Sequence, residues 1–241
     1  MIIEYDGSQF YGWQIQKKRN SIQGEIQKGL KKIFKKKIKL IGSGRTDSGV
    51  HALAQSANFK INMNIDCKKI KNRINYYLKE KKISIISIKK KPPNFHARFS
   101  AKEREYRYVI INRDSHLTLE SLKAWHVKKK LSIKSMKKGA KILIGEHNFS
   151  TFRSSSCGAK SPIRNLSKTK VTKKKGGGIC LQFTSKSFLQ QQVRSMVGCI
   201  KYLGEGKWNL KKFTEVFKSK NRSMCAPPAP AHGLYLYKIK Y

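Results

Sequence analysis

Apolar residues return with helical period over 21–36, SIQGEIQKGLKKIFKK, where Ile22, Ile26, Leu30 and Ile33 share one face and mainly Lys and Gln fill the other. Ser21 stands at the N-cap of this helix, without the acid at N3 that would complete a capping box. A second face, Ile70, Ile74, Tyr77 and Leu78, predicts a helix over 66–79. Further helices are predicted over 134–144, 187–203 and 209–219. Strands are predicted at 1–5, 38–41, 52–61, 83–89, 105–111, 164–172, 178–185 and 233–241. Within 105–111, alternation puts Tyr106 and Tyr108 on one face and Arg107 on the other. The GGG at 176–178 is the turn of a hairpin. The prolines of APPAPAHG, 226–233, make a rigid lead into the last strand.

Strands and helices recur in similar order in each half, which points to an α+β protein built from two related units sharing a sheet. The lysine-rich stretch 113–134 is the natural boundary, giving an N-terminal half 1–112 and a C-terminal half 135–241.

Composition sharpens the picture of the surface. Of the 241 residues 39% are hydrophobic, enough for a real core and too many for a disordered basic tail. The net charge of +41 would draw a polyanion, nucleic acid before anionic membrane. Lysine supplies 43 of the 54 basic residues and isoleucine is abundant, a bias that an AT-rich genome leaves on any exposed face. The 11 arginines are better evidence, because the guanidinium fork suits phosphates and bases. Five cysteines, at 67, 157, 180, 199 and 225, form no C-x-x-C pair, which argues against a zinc site or disulfide framework. The six histidines show no metal spacing. The opening MIIEYDGSQF reads as strand and turn, not as a signal peptide, and no 18-residue apolar run exists to span a membrane. These absences lead us to expect a cytoplasmic protein.

One acid stands out among so many bases. In GSGRTDSGVHA, 42–52, Asp47 follows Arg45 and Thr46 between glycines. The segment lacks the Gly-Lys-Ser/Thr of a P-loop and the third glycine of a dinucleotide fingerprint. If it is extended, Arg45 and Asp47 point to the same side. Surrounding positive charge would keep Asp47 ionised. Either the acid caps a turn or pairs with Arg45, or it performs chemistry on a base or sugar, which would justify an anion in a polyanion site.

GRTDSGVHA closely resembles the catalytic motif of the tRNA pseudouridine synthase A family. EYDGSQFYGWQIQ (4–16), FHARFSAKEREYRYVI (95–110), FLQQQVRSMVG (188–198) and APAHGLYL (229–236) resemble further blocks of that family in the same order, spanning nearly the whole chain. The resemblance implies a pseudouridine synthase fold: two similar α/β halves around a continuous, mostly antiparallel sheet, with a central RNA-binding cleft. It implies conversion of uridine to pseudouridine in the anticodon stem-loop of tRNA, at positions 38 to 40. It also implies a homodimer with no metal and no organic cofactor. Asp47 matches the essential acid, which either adds to C6 of the uracil or acts at C1′ of the ribose. The base must leave its stack for either route. Arg45 matches the arginine proposed to fill the space it leaves, Tyr106 the tyrosine that packs on it, and Leu234 an apolar residue of the pocket. Arg194 matches an arginine that pairs with the acid. Such a residue on a largely apolar helix is costly unless paired. Arg98 and Arg164 are candidate RNA contacts, as are the lysine runs 35–37, 89–91, 128–130 and 173–175, each of which is equally a solvated face. His51 reads as support for the loop. The QQQ at 190–192 and a slightly short amino terminus depart from the family pattern. Two rivals stand beside this reading: a synthase acting on another RNA, and a non-catalytic RNA-binding chaperone of the same fold.

Overall fold

The computed structural model describes all 241 residues, Met1–Tyr241. In chain order the first elements are β1 (Ile2–Tyr5), α1 (Ile22–Phe34), β2 (Ile41–Gly42), β3 (His51–Asn58), α2 (Cys67–Leu78) and β4 (Ile83–Ser87). There follow β5 (Glu103–Asn112), β6 (Trp125–Val127), α3 (Ile133–Ile142), β7 (Gly145–Asn148), β8 (Ile163–Lys173) and β9 (Gly178–Ser185). The chain closes with α4 (Gln192–Gly204), α5 (Leu210–Lys218) and β10 (Leu234–Lys240). Two compact units result, Met1–Lys102 with Tyr235–Tyr241, and Glu103–Leu234. This division differs from the expected halves 1–112 and 135–241. The supposed connector 113–134 carries β6, which pairs in parallel with β5 at Ile110 and Trp125, so it is built into the second unit. The last strand meanwhile returns to the first.

In the first unit β1 lies between β3 and β4, antiparallel to both, and β10 runs parallel to β3 with Tyr235 opposite His51. α1 starts where Ser21 Oγ accepts the Gly24 N–H at 3.2 Å, the expected cap without its box. It ends as Lys35 turns left-handed. Ile22, Ile26 and Leu30 are fully buried, as are Ile74 and Leu78 of α2. The two helices meet at Gly29, where a methyl group would stand 2.8 Å from the Tyr77 ring. The strand expected over 38–41 is reduced to β2, two residues paired to the end of β3.

The second unit is an antiparallel ladder, β5–β9–β8–β7, with β6 at its side. Burial alternates along β5, and Tyr106 and Tyr108 face inward as the alternation predicts. Phe149, Phe152 and Phe217 form an aromatic cluster with ring centroids 5.6–6.2 Å apart. The hairpin turn uses Gly176 and Gly177 at φ of +65° and +77°. α4 begins at Gln192, not at 187. Gln191 is left-handed at φ +61°, and the fully buried Gln192 turns its Oε1 back to accept the Leu189 N–H at 2.8 Å. Two of the three glutamines therefore precede the helix. Both units are mixed α and β with mostly antiparallel ladders, the fold class read from the sequence.

Candidate active site

The Asp47 loop runs from β2 to β3, and its backbone is held by a segment far away in sequence. Tyr5 and Thr46 share a buried hydrogen bond between hydroxyls at 2.8 Å. The Trp13 N–H donates to Thr46 O at 3.1 Å. Phe10 O accepts both the Gly49 N–H (3.3 Å) and Ser48 Oγ (3.1 Å). On the other side Gln55 Nε2 donates to Gly44 O at 2.8 Å, and the Ser43 N–H to Ser56 O at 2.8 Å. Within the loop the Val50 N–H closes onto Asp47 O at 3.2 Å. Buried backbone groups thus find partners on both flanks.

Thr46 is buried, Arg45 is exposed and Asp47 is partly exposed. Burial thus alternates over the three residues, with Thr46 facing inward. The glycines make the close approach possible. A methyl group at Gly7 would fall 2.0 Å from Val50 O, and one at Gly12 would fall 2.6 Å from Thr46 O. At Gly42 it would meet the Trp13 ring at 2.5 Å. Residues 5–14 are the bed on which the loop lies, a role that their aperiodic, glycine-punctuated sequence did not disclose.

His51 is buried against the Tyr235 ring, 4.9 Å between centroids. Its Nδ1 lies 3.0 Å from the Gly7 nitrogen and 3.1 Å from Asp6 Oδ1. Nδ1 accepts the Gly7 N–H when it carries no proton and donates to Asp6 when it carries one, but cannot do both. Either way it ties β3 to the start of the bed.

The other marked residues are distributed over both units. Arg98, in the first, is exposed, with its guanidinium 5.5 Å from the centre of the exposed Phe99 ring. In the second, Tyr106 is buried edge-on to Phe188 at 5.2 Å. Tyr108 is fully buried and donates to Pro230 O at 2.7 Å; burial pushes its phenol pKa far up. Arg194, in the first turn of α4, gives its Nε–H to Ala229 O at 2.7 Å and receives the Ala229 N–H on its own carbonyl at 3.0 Å. Leu234 is buried at the start of β10. Arg164 is partly buried on β8, its Nη1 bracing the carbonyls of Ser161 and Ile163, so much of its fork is spent on its own turn.

Comparison with known proteins bears on what this arrangement is for. The family model described as tRNA pseudouridine synthase matches residues 1–100 and 140–241. The tRNA pseudouridine synthase A of Pelagibacter ubique is 56% identical over 242 residues, covering all of this chain and 98% of that protein. That of Maricaulis maris is 41% identical over 99% of this chain and 96% of its own length.

The chain belongs to the tRNA pseudouridine synthase family.

Among solved structures, a Cbf5-Nop10-Gar1 complex aligns over 84% of this chain and 53% of that one, at 12% identity and a TM-score of 0.35, too slight a likeness to bear on the fold.

In this synthase the bed is also an electrostatic device. Asp6 caps the turn at Gly7–Gln9 by accepting the Ser8 N–H at 2.9 Å, and Lys82 Nζ stands 3.9 Å from its other oxygen. Partial burial pushes its carboxyl up. The Ser8 hydrogen bonds, His51 and Lys82 outweigh that and hold it below the ordinary carboxylate value. A carboxyl depressed by folding stabilises the folded state above its unfolded pKa, and loses that contribution as pH falls through the lower folded value. Asp6→Asn is therefore expected to cost about 0.5–1 kcal/mol at neutral pH, a modest figure because the site is part-solvated. The gap from wild type should close in acid below the ordinary carboxylate range. Urea melts of both proteins at several pH values check this; a gap that persists there rejects it.

Proposed function

We propose that this enzyme isomerises uridine to pseudouridine in the anticodon stem-loop of tRNA, at positions 38 to 40, with Asp47 as the catalytic acid. Its family membership supports tRNA as the substrate and isomerisation as the reaction. The observation that carries the assignment to Asp47 is the loop: its backbone is braced on both flanks, while Asp47 itself stays partly exposed. A rigid frame under a reactive group provides positioning without reorganisation during reaction.

The reaction breaks N1–C1′, joins C5 to C1′, removes the C5 proton and leaves N1 protonated, an isomerisation with no net redox change. A carboxylate fits either of two roles, addition to C6 or attack at C1′. Arg45, exposed beside it, fills the space of the flipped base, and its planar cation stacks on neighbouring bases. Arg194 pairs with Asp47, Tyr106 packs on the uracil and Leu234 lines its pocket. Arg98 contacts the RNA backbone, and Arg164 does so with whatever part of its fork is not held by its own turn. The enzyme works as a cytoplasmic homodimer, which light scattering of the purified protein tests.

The decisive experiment incubates the enzyme with tRNA transcripts that carry uridine at 38, 39 or 40, and maps pseudouridine by carbodiimide-dependent primer extension. Modification at those positions, lost when they are changed to cytidine, supports the reading. Pseudouridine elsewhere, or none, overturns it. Binding should also weaken steeply with salt. If roughly 6–10 phosphates are neutralised, affinity falls about 10³–10⁵-fold between 50 and 200 mM salt. Filter binding over that range checks this, and a flat response would assign the lysine excess to coding bias.

A further inference from the structure

The sequence spreads its cysteines widely, yet folding brings two together. Cys199 lies on α4 and Cys225 follows the turn Arg222–Met224, and their sulfurs are 3.5 Å apart. The two thiols are not equivalent. Cys199 is fully buried, whereas Cys225 is partly exposed. The Arg222 guanidinium stands beside Cys225 and donates to Ser195 Oγ at 2.8 Å. Hydrogen bonding from Cys199 lowers the Cys225 thiol, burial opposes, and Arg222 and Ser195 lower it further. That same hydrogen bond, with burial, pushes Cys199 up. The arrangement is a partly accessible thiol with a buried thiol 3.5 Å behind it, the geometry of an attacking and a resolving cysteine.

We propose that Cys225 and Cys199 form a reversible disulfide when the protein meets a peroxide, and that this bridge slows pseudouridine formation. The Cys225 thiolate attacks one peroxide oxygen and the O–O bond breaks. Cys225 becomes a sulfenic acid, and the departing oxygen leaves as water or alcohol after taking a proton. The Cys199 sulfur then attacks the Cys225 sulfur, its proton leaves with the hydroxyl as water, and the disulfide remains. Each peroxide is reduced by two electrons and the two thiols are oxidised by two.

Closing the bond takes the sulfurs from 3.5 Å to about 2.05 Å. The chain just beyond Cys225 has little room to absorb that shift. Pro227 O sits 2.2 Å from where a methyl group on Gly198 would be, and Ala229 is bonded to Arg194 in both directions. Drawing Cys225 onto α4 therefore disturbs the hold on Arg194. This last step rests on the role proposed for Arg194.

The test uses the full-length protein, first reduced and shown to make pseudouridine, which checks the earlier reading separately. It is then treated with hydrogen peroxide, alkylated, and mapped by peptide mass spectrometry. The expected result is a linked pair of peptides containing Cys199 and Cys225, lighter by two hydrogens, while Cys67 and Cys180 still alkylate. The rate should drop roughly three- to tenfold and return with dithiothreitol. C225S should keep the reduced rate and lose the peroxide response. Sulfinate at Cys225 without a bridge, or oxidation confined to the other cysteines, overturns the proposal. A bridge with an unchanged rate overturns its regulatory half. The wild-type peptide map decides the chemistry even if C225S folds poorly.

Discussion

Replacing Asp47 with asparagine is expected to reduce pseudouridine formation by at least ~10³-fold while tRNA binding is held or slightly improved. Asparagine keeps the size and planarity of the side chain. The loop should survive, because its brace from Val50 is to the Asp47 main-chain carbonyl, which the substitution leaves in place. What is lost is the anionic oxygen, and an amide is far too weak a nucleophile to replace it at C6 or C1′. Binding is spared for an electrostatic reason. In a chain of net charge +41, removing one anion relieves repulsion of phosphate rather than creating it. Glutamate should fail too, since one extra methylene displaces the carboxylate by about 1 Å or more, and misplacement on that scale costs about 10²-fold. Single-turnover release of tritium from C5-labelled uridine in tRNA, beside filter binding, separates the two effects. Activity in the asparagine variant above about a tenth of wild type would remove Asp47 from the chemistry.

Local patterning carried most of the secondary structure. The α1 face, the Ser21 cap and the inward pair Tyr106 and Tyr108 were all legible, because each depends on neighbours in sequence. The elements that escaped depend on distant partners. β6 is three residues recruited by β5, and β7 four residues recruited by β8. The start of α4 escaped as well, because 187–203 is apolar enough to read as helix throughout. Only the left-handed Gln191 and the inward turn of Gln192 stop it at its observed end. At the candidate site the motif singled out Arg45 and Asp47. The bed did not show itself, since residues 5–14 have no periodicity and interact with the loop mainly through main-chain atoms. Cys199 and Cys225 stayed hidden for a related reason, being 26 residues apart and joined only by the packing of one segment on α4.

The bed supplies the second large expected effect. Gly12→Ala should lower kcat by roughly 10²-fold with a smaller change in KM, and should cost about 2–4 kcal/mol of stability. Two costs combine. Gly12 has φ of +90°, a conformation that strains any residue with a Cβ. The added carbon would also stand 2.6 Å from Thr46 O and 3.2 Å from both the Asp47 carbonyl carbon and the Ser48 nitrogen. All three are main-chain atoms, so no side chain can rotate away and the loop itself must move. Thr46 O is the acceptor for Trp13 N–H, and Thr46 Oγ1 is tied to the Tyr5 hydroxyl; a shift there loosens both braces next to Asp47. The bed cannot retreat easily, because Gly12 O accepts the Ile22 N–H at the start of α1 and Trp13 O accepts that of Gln23. A displacement approaching 1 Å at the Asp47 carboxylate is therefore the cheaper relaxation, and under the proposed role of Asp47 the rate depends on that position far more than binding does. Gly158→Ala is the matched control, since a methyl group there meets nothing within 4 Å. Thermal melts and single-turnover rates of the two variants decide the matter. If Gly12→Ala melts lower but reacts at the wild-type rate, the bed supports folding only, and the precision of the Asp47 loop must come from elsewhere.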